Sequence, residues 1–282
     1  MTTAGPAAAP AVELDGLTRR FGALTAVDGL SFAVAPGELF GLVGPDGAGK
    51  TTTLRMLAGV LRPSAGDARL GGVSVTREPE RVKHSIAYMS QRFGLYGDLT
   101  VEENLDFYAD LYRVPRAERP ARLERLYRFS ALGPFQGRMA GQLSGGMKQK
   151  LALSCCLVHE PAILLLDEPT FGVDPISRRD LWLIVHEMVA HGTTVVVSTA
   201  YMDEAERFDR LAMLHRGRRV ALDSAARLQR DFGLAMVAVP VDRVYEARAA
   251  ARALPGVRAA AVFGDRLHLA VADAAADGPR VA

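Results

Sequence analysis

Apolar and polar positions along this chain change period several times, and each change marks an element. Val12-Glu13-Leu14, Ala26 to Val34 and Glu38 to Val43 read as strands divided by glycine turns, expected to lie in one sheet. From Thr100 to about Leu132 the spacing is helical and amphipathic, with Leu105, Tyr108, Leu111 and Tyr112 on one stripe. Glu102 and Glu103 stand near a helix start behind Thr100, a fitting cap. Ala162 to Leu166 and Thr193 to Ser198 are continuous apolar or β-branched runs, the pattern of parallel strands covered on both faces, with a helix from Ile176 to Ala190 between them. Beyond Asp223, the runs Ala235 to Val239, Val244 to Ala253 and Leu267 to Val271 predict a small appended α+β unit.

The eight residues after the Glu38 to Val43 strand give this alternation a chemical meaning. Gly44-Pro45-Asp46-Gly47-Ala48-Gly49-Lys50-Thr51 is a complete G-x-x-x-x-G-K-[ST] loop between a buried strand and a helix-forming stretch. Glycines let successive N–H groups turn inward around an anion, and the helix that follows adds its positive end. Lys50 reaches the β and γ phosphates, and the Thr51 hydroxyl takes a place on Mg²⁺. An ordinary glycine turn would not explain a lysine followed by Thr51 and Thr52 at the helix start. Strand, helix and strand around such a loop predict an α/β, three-layer P-loop core.

Composition narrows the partners. The 282 residues are 49% hydrophobic, enough for one large domain and a small one. Basic and acidic residues number 34 and 32, too even for nucleic acid or an anionic membrane to be the main partner. The only cysteines, Cys155 and Cys156, are neighbours in an apolar helical stretch and read as core residues of a protein from a reducing compartment. Residues 1 to 10, rich in alanine and proline, are expected to be disordered and carry no signal or anchor pattern. No run approaches the roughly 18 to 20 apolar residues that span a bilayer, so a cytoplasmic chain is expected.

Further motifs follow in order. Gln91 stands just past the strand-like Ile86 to Ser90, and Leu143-Ser144-Gly145-Gly146-Met147-Lys148-Gln149 opens a helix. Ile163 to Leu166 run into Asp167-Glu168-Pro169, and Gly172-Val173-Asp174-Pro175 comes soon after. Together these resemble the ATP-binding cassette (ABC) ATPases of export-type transporters, over roughly residues 12 to 225. The resemblance implies a P-loop NTPase core with an antiparallel β subdomain and a helical subdomain at about residues 92 to 159. The cassette is expected over 11–225, with an accessory unit over 226–282.

Asp167 is expected to hold Mg²⁺ with Thr51 and Gln91, while Glu168 orients and deprotonates the attacking water. Lys50 and Gln91 join Glu168 in catalysis. Gly44 to Thr52 cradle the phosphates, and Phe21 matches the aromatic that stacks on adenine, although its residue type also suits a plain core position. Ser144, Gly145 and Gly146 make a second anion site at a helix start. In the resembled family this signature closes over the nucleotide of the opposite subunit, so Ser144, Gly145, Gly146 and Asp174 are assigned to ATP binding across a head-to-tail dimer.

Two departures stand out. Ala200 occupies the position where the family places a histidine, and alanine can neither bond the γ-phosphate nor position water. Asp46 stands where asparagine is common and adds negative charge beside polyphosphate. The resemblance thus implies an ATP-hydrolysing subunit, peripheral on the inner face of the cell membrane. Its partners are separate membrane-spanning permease subunits and a second ATP-binding subunit, either another copy or, as Ala200 favours, a related chain. Phe93, Leu95 and Tyr96 suit either an exposed groove for the membrane partner or local core. A soluble clamp and an ATP-gated module with little catalysis remain as alternatives.

Overall fold

The computed structural model describes residues 9 to 272. Most of the predicted amino-terminal tail therefore lies outside the described residues, as do residues 273 to 282. The chain folds as two units, the first ending at Ala225 and the second beginning at Ala226.

In the first unit, β1 (Val12–Phe21) and β2 (Leu24–Val34) form an antiparallel hairpin. β3 (Leu39–Val43) leads into the glycine loop and α1 (Lys50–Leu57). β4 (Ala65–Leu70) returns to β1, and β5 (Val73–Ser74) completes a four-stranded antiparallel sheet of order β2-β1-β4-β5. Then come α2 (Pro79–Ser85), β6 (Ile86–Met89), α3 (Val101–Leu111), α4 (Arg119–Ser130) and α5 (Gly145–Leu157). β7 (Ile163–Asp167), α6 (Pro175–Ala190), β8 (Thr194–Thr199), β9 (Arg210–His215) and β10 (Arg218–Asp223) finish the unit. The second sheet has the order β10-β9-β3-β8-β7-β6, parallel except for β10.

One expectation is corrected. The segments at 12–14 and 26–34 do not share a sheet with 38–43. In β2, buried Leu30, Phe32 and Val34 alternate with exposed Ser31 and Ala33, so the strand covers one face of a core. All five residues of β3 are buried, and β3 lies between the parallel strands β8 and β9. A strand buried on both faces belongs at the centre of a parallel sheet. The two sheets meet through one apolar core, in which Leu54, Met56 and Leu57 of α1 join Leu14, Leu30 and Leu70 on one side and Phe40, Leu42 and Leu165 on the other. At about 25 cal/mol per Å² of apolar area, this burial anchors the helix that carries Lys50.

The amphipathic stretch after Thr100 is also not continuous. Thr100 and Glu103 form a reciprocal capping box that starts α3, as the sequence suggested. The helix ends before Arg113, whose φ of 56° is left-handed, and Pro115 blocks its resumption until α4.

The second unit contains β11 (Ala235–Pro240), α8 (Val244–Ala251), β12 (Val257–Phe263) and β13 (Arg266–Val271), after α7 (Ala225–Asp231) at the junction. Its strands form an antiparallel sheet of order β11-β13-β12, with Val239, Ala251, Ala260, Leu267 and Leu269 as its core.

Candidate functional site

The glycine loop is shaped by what lies behind it. Gly49, the residue before α1, has φ 101°, and a Cβ there would stand 2.6 Å from the Ala26 carbonyl oxygen, so both conformation and space demand glycine. No side chain caps α1, leaving its first N–H groups directed at the loop. Pro45, Asp46 and Gly47 are exposed, whereas Gly44, Ala48 and Gly49 are buried. The Ala48 carbonyl accepts from Gly217 N at 3.1 Å, so the turn between β9 and β10 supports the loop from beneath.

Lys50 is 4% exposed, and its Nζ donates to the carbonyls of Gly44 at 2.8 Å and Pro45 at 3.2 Å. It also stands 3.2 Å from Oε1 of Glu168, whose side chain is 10% exposed. A lone buried charge costs several kcal/mol, and here each charge has its counterpart. Glu168 Oε2 accepts from Gln91 Nε2 at 3.0 Å. Loop, carboxylate and amide are thus joined into one polar cluster from three separate elements.

Asp167 ends β7 and is buried. Its Oδ1 accepts from Thr51 Oγ1 at 2.9 Å and Ser198 Oγ at 2.7 Å. Tyr88 OH donates to Oδ2 at 3.3 Å, and burial followed by the Asp167 charge pushes the phenol up to about 12. Hydroxyl and carboxylate oxygens at this separation suit a hard divalent cation such as Mg²⁺, which needs few protein ligands beside phosphate and water. Among the described residues no cluster of three or more His, Cys, Asp or Glu forms a metal cage of its own. Gln91 faces Glu168 rather than the Thr51–Asp167 pair.

A cavity of about 500 Å³ opens over the loop and is lined by Phe21, Asp46 to Thr52, Gln91, Glu168 and Phe171. Phe21 is 46% exposed at its mouth, so it is no core phenylalanine, and the Arg19 guanidinium lies 4.6 Å from its ring centroid. Phe21 and the phosphate loop therefore border one space.

Ser144, Gly145 and Gly146 lie elsewhere. Ser144 caps α5 by accepting from Met147 N at 3.3 Å, and both Ser144 and Gly145 are exposed. They do not border the cavity over the phosphate loop. A Cβ on Gly146 would stand 2.2 Å from Ser177 Oγ, so glycine lets the first turn of α5 press against that of α6. Asp174 is the α6 cap: its Oδ1 accepts from Ile176 N at 3.1 Å and Ser177 N at 2.9 Å. The Ser177 bonds hold its carboxyl below the usual carboxylate range.

Phe93 packs at a tilt against Tyr108, while Tyr96 is 44% exposed and meets Phe107 edge-on. Asn104 ties this loop down, accepting from Tyr96 N and donating to the carbonyls of Tyr96, Leu99 and Thr100. A groove of about 290 Å³ runs beside it, bordered by Gln91, Phe93, Leu95, Lys148 and Gln149. Phe93 is thus half core, and Tyr96 is surface. Cys155 and Cys156 are free and fully buried, and burial raises both thiols.

Sequence reasoning missed four contributors. Ser198 donates to Asp167 and also accepts from Glu168 N at 3.0 Å, so one hydroxyl holds the Asp167 carboxylate and the Glu168 backbone. Tyr88 supports Asp167 from the other side, while Leu24 and the exposed Phe171 complete the mouth of the cavity. The parallel pairing of Asp167 with Ser198 is the signal that would have found the serine.

Comparison with known proteins adds to this geometry. Residues 27–171 match the family model described as ABC transporter. The chain is 50% identical over 208 residues to the probable multidrug ABC transporter ATP-binding protein YbhF of Escherichia coli, covering 73% of this chain and 36% of that protein. The chain thus spans about a third of the length of the first curated relatives it matches. It is 42% identical over 212 residues to the Nod factor export ATP-binding protein I of Paraburkholderia xenovorans, covering 75% of this chain and 70% of the relative. Among solved structures, the dimeric post-hydrolysis state of the ATP-binding cassette MJ0796 bound to ADP and Pi aligns with TM-score 0.68 and 25% identity, over 76% of this chain and 98% of that one.

Proposed function

The chain belongs to the ABC transporter family, and from that premise we propose that it binds and hydrolyses ATP to energise a membrane exporter. One observation carries this reading: buried Lys50 and Glu168 form an ion pair, to which exposed Gln91 is hydrogen-bonded through Glu168, beside the Thr51–Asp167 pair. The names of the relatives above, one for multidrug transport and one for Nod factor export, support an exporter.

In this reading the loop N–H groups and Lys50 bind the polyphosphate, and the terminal phosphates take over the lysine from Glu168. Freed from that ion pair, Glu168 orients the attacking water and accepts its proton, while the Gln91 amide holds the carboxylate in place. Thr51 and Asp167, with the Gln91 side-chain carbonyl as a further oxygen donor, would hold Mg²⁺, which when bound would supply charge neutralisation on the phosphates. Phe21 provides a π face for adenine.

Ser144, Gly145, Gly146 and Asp174 serve a second ATP-binding subunit. Their exposure, apart from packed Gly146, and their separation from the cavity over the chain's own loop support action on a mate. Closure of the pair on ATP moves permease subunits docked in the groove beside Gln91 and Phe93. No helix among the described residues is long and apolar enough to cross a membrane, which supports a separate membrane-spanning partner and a peripheral place on the inner face.

Ala200 is exposed at the end of β8 and offers no polar group to the phosphates. This observation favours slow turnover at the chain's own loop and a related, unequal mate, with an ATP-gated module of little catalysis as the second reading. Phosphate release by the full chain under saturating Mg-ATP, beside Glu168→Gln and Lys50→Ala, tests the proposal. Turnover that Glu168→Gln abolishes supports hydrolysis; turnover that survives it removes Glu168 from the mechanism.

A further inference from the structure

Glu204 is fully buried, yet no step above uses it. It sits in the 3-10 turn Met202–Arg207, and its two oxygens accept from four side chains. Oε1 receives Thr170 Oγ1 at 2.8 Å, Arg178 Nε at 2.8 Å and Trp182 Nε1 at 3.0 Å. Oε2 receives Thr199 Oγ1 at 2.6 Å.

The origin of these donors matters more than their number. Thr170 lies two residues past Glu168, on the turn that presents it. Thr199 follows Ser198, which bonds both Asp167 and the Glu168 amide. Arg178 and Trp182 belong to α6, whose first turn abuts Gly146 of the serine-glycine helix.

Glu168 itself has φ 50°, a left-handed conformation that is unfavourable for a non-glycine residue and persists only where its surroundings impose it. On one side of that residue the Glu168 amide is fixed by Ser198. On the other, the chain is fixed by the Thr170–Glu204 bond.

We propose that Glu204 is a positioning residue: by gathering Thr170, Thr199, Arg178 and Trp182 it clamps the turn that presents Glu168 and fastens that turn to α6. The catalytic side of this proposal rests on the reading that Glu168 activates water. Through α6 the clamp also joins the chain's own loop to the Ser144 end it offers a mate. A carboxylate suits the place because all its partners donate. An amide of the same size keeps one acceptor and turns the other into a donor facing donors.

The test uses the full chain and two measurements, ATP turnover and backbone amide exchange. Glu204→Gln is expected to lower kcat by about ten-fold or more while KM for ATP stays within about two-fold, because positioning of the base is lost and phosphate binding is not. Exchange at residues 168 to 172 should speed by about ten-fold, with exchange in α1 unchanged. Thr170→Val removes one donor at nearly constant volume and should move both readings the same way by less, which keeps the test decisive if Glu204→Gln folds poorly. Faster exchange at 168 to 172 without a fall in kcat overturns the proposal, as does exchange that rises equally in α1. Unchanged exchange in both variants also overturns it. If the unsubstituted chain releases no phosphate at all, the hydrolytic reading fails, while the exchange measurement still decides whether Glu204 holds the turn.

Discussion

The two helix starts to which we assign anion binding are built differently. At the phosphate loop, α1 begins without a side-chain cap, buried Lys50 is paired with Glu168, and the Thr51 hydroxyl donates to buried Asp167. At the other, Ser144 caps its own helix through Met147 and stands exposed, and the carboxylate nearest Gly146, that of Asp174, is engaged in capping α6. On the proposed reading, affinity and chemistry are concentrated at the first, while the second contributes donors to a nucleotide held by a mate. The contrast teaches that a helix N-terminus becomes a reaction site only when neighbouring strands deliver a lysine, a base and metal ligands to the same place.

Substitutions sharpen this contrast unequally. The largest effect belongs to the phosphate loop: Lys50→Ala should weaken Mg-ATP binding and reduce phosphate release by roughly 10²-fold or more, since the substitution removes the charge facing the β and γ phosphates. Glu168→Gln should cut turnover comparably while leaving nucleotide affinity nearly intact, a split read by equilibrium titration beside steady-state kinetics. Ala200→His ranks next. It restores a group that can bond the γ-phosphate and should raise turnover by about ten-fold; an unchanged rate would show that this position does not limit the site.

Phe21→Ala should weaken ATP by about five-fold, in line with the ~1 kcal/mol that aromatic stacking typically contributes, and should leave inorganic polyphosphate binding unchanged. The smallest effect concerns pH. Tyr88 holds its proton to about 12, whereas an unfolded tyrosine ionises near 10, so the stability tied to this group is complete below pH ~10 and is lost as pH rises towards the folded value. In denaturant titrations across that window, Tyr88→Phe should lessen the alkaline loss without abolishing it, because burial also pushes Tyr112 up to about 12.

What could be read from the chain alone follows the same division. The loop, the Asp167–Glu168 pair and the Ser144 cap are local spacings, and each takes its place from a strand end or a helix start beside it. The Thr100 capping box was legible for the same reason. Ser198, Tyr88 and Glu204 were not, because their roles depend on which strand lies beside which: Ser198 meets Asp167 only through the pairing of β7 with β8. The antiparallel sheet was only partly visible. β4 contains Gly66 and Asp67, and β5 has two residues, so neither carries enough alternation to declare itself. The alanine-rich β12 reads equally well as helix, and only its pairing with β13 makes it a strand.

The division of labour between the two helix starts can be tested by one comparison, Mg-ATP affinity and phosphate release of the full chain carrying Ser144→Arg. The account predicts affinity within about two-fold of the unsubstituted protein, because the loop that binds nucleotide is untouched, together with loss of nucleotide-driven association and of turnover. Turnover and association that survive a bulky charge at the serine-glycine helix would contradict it.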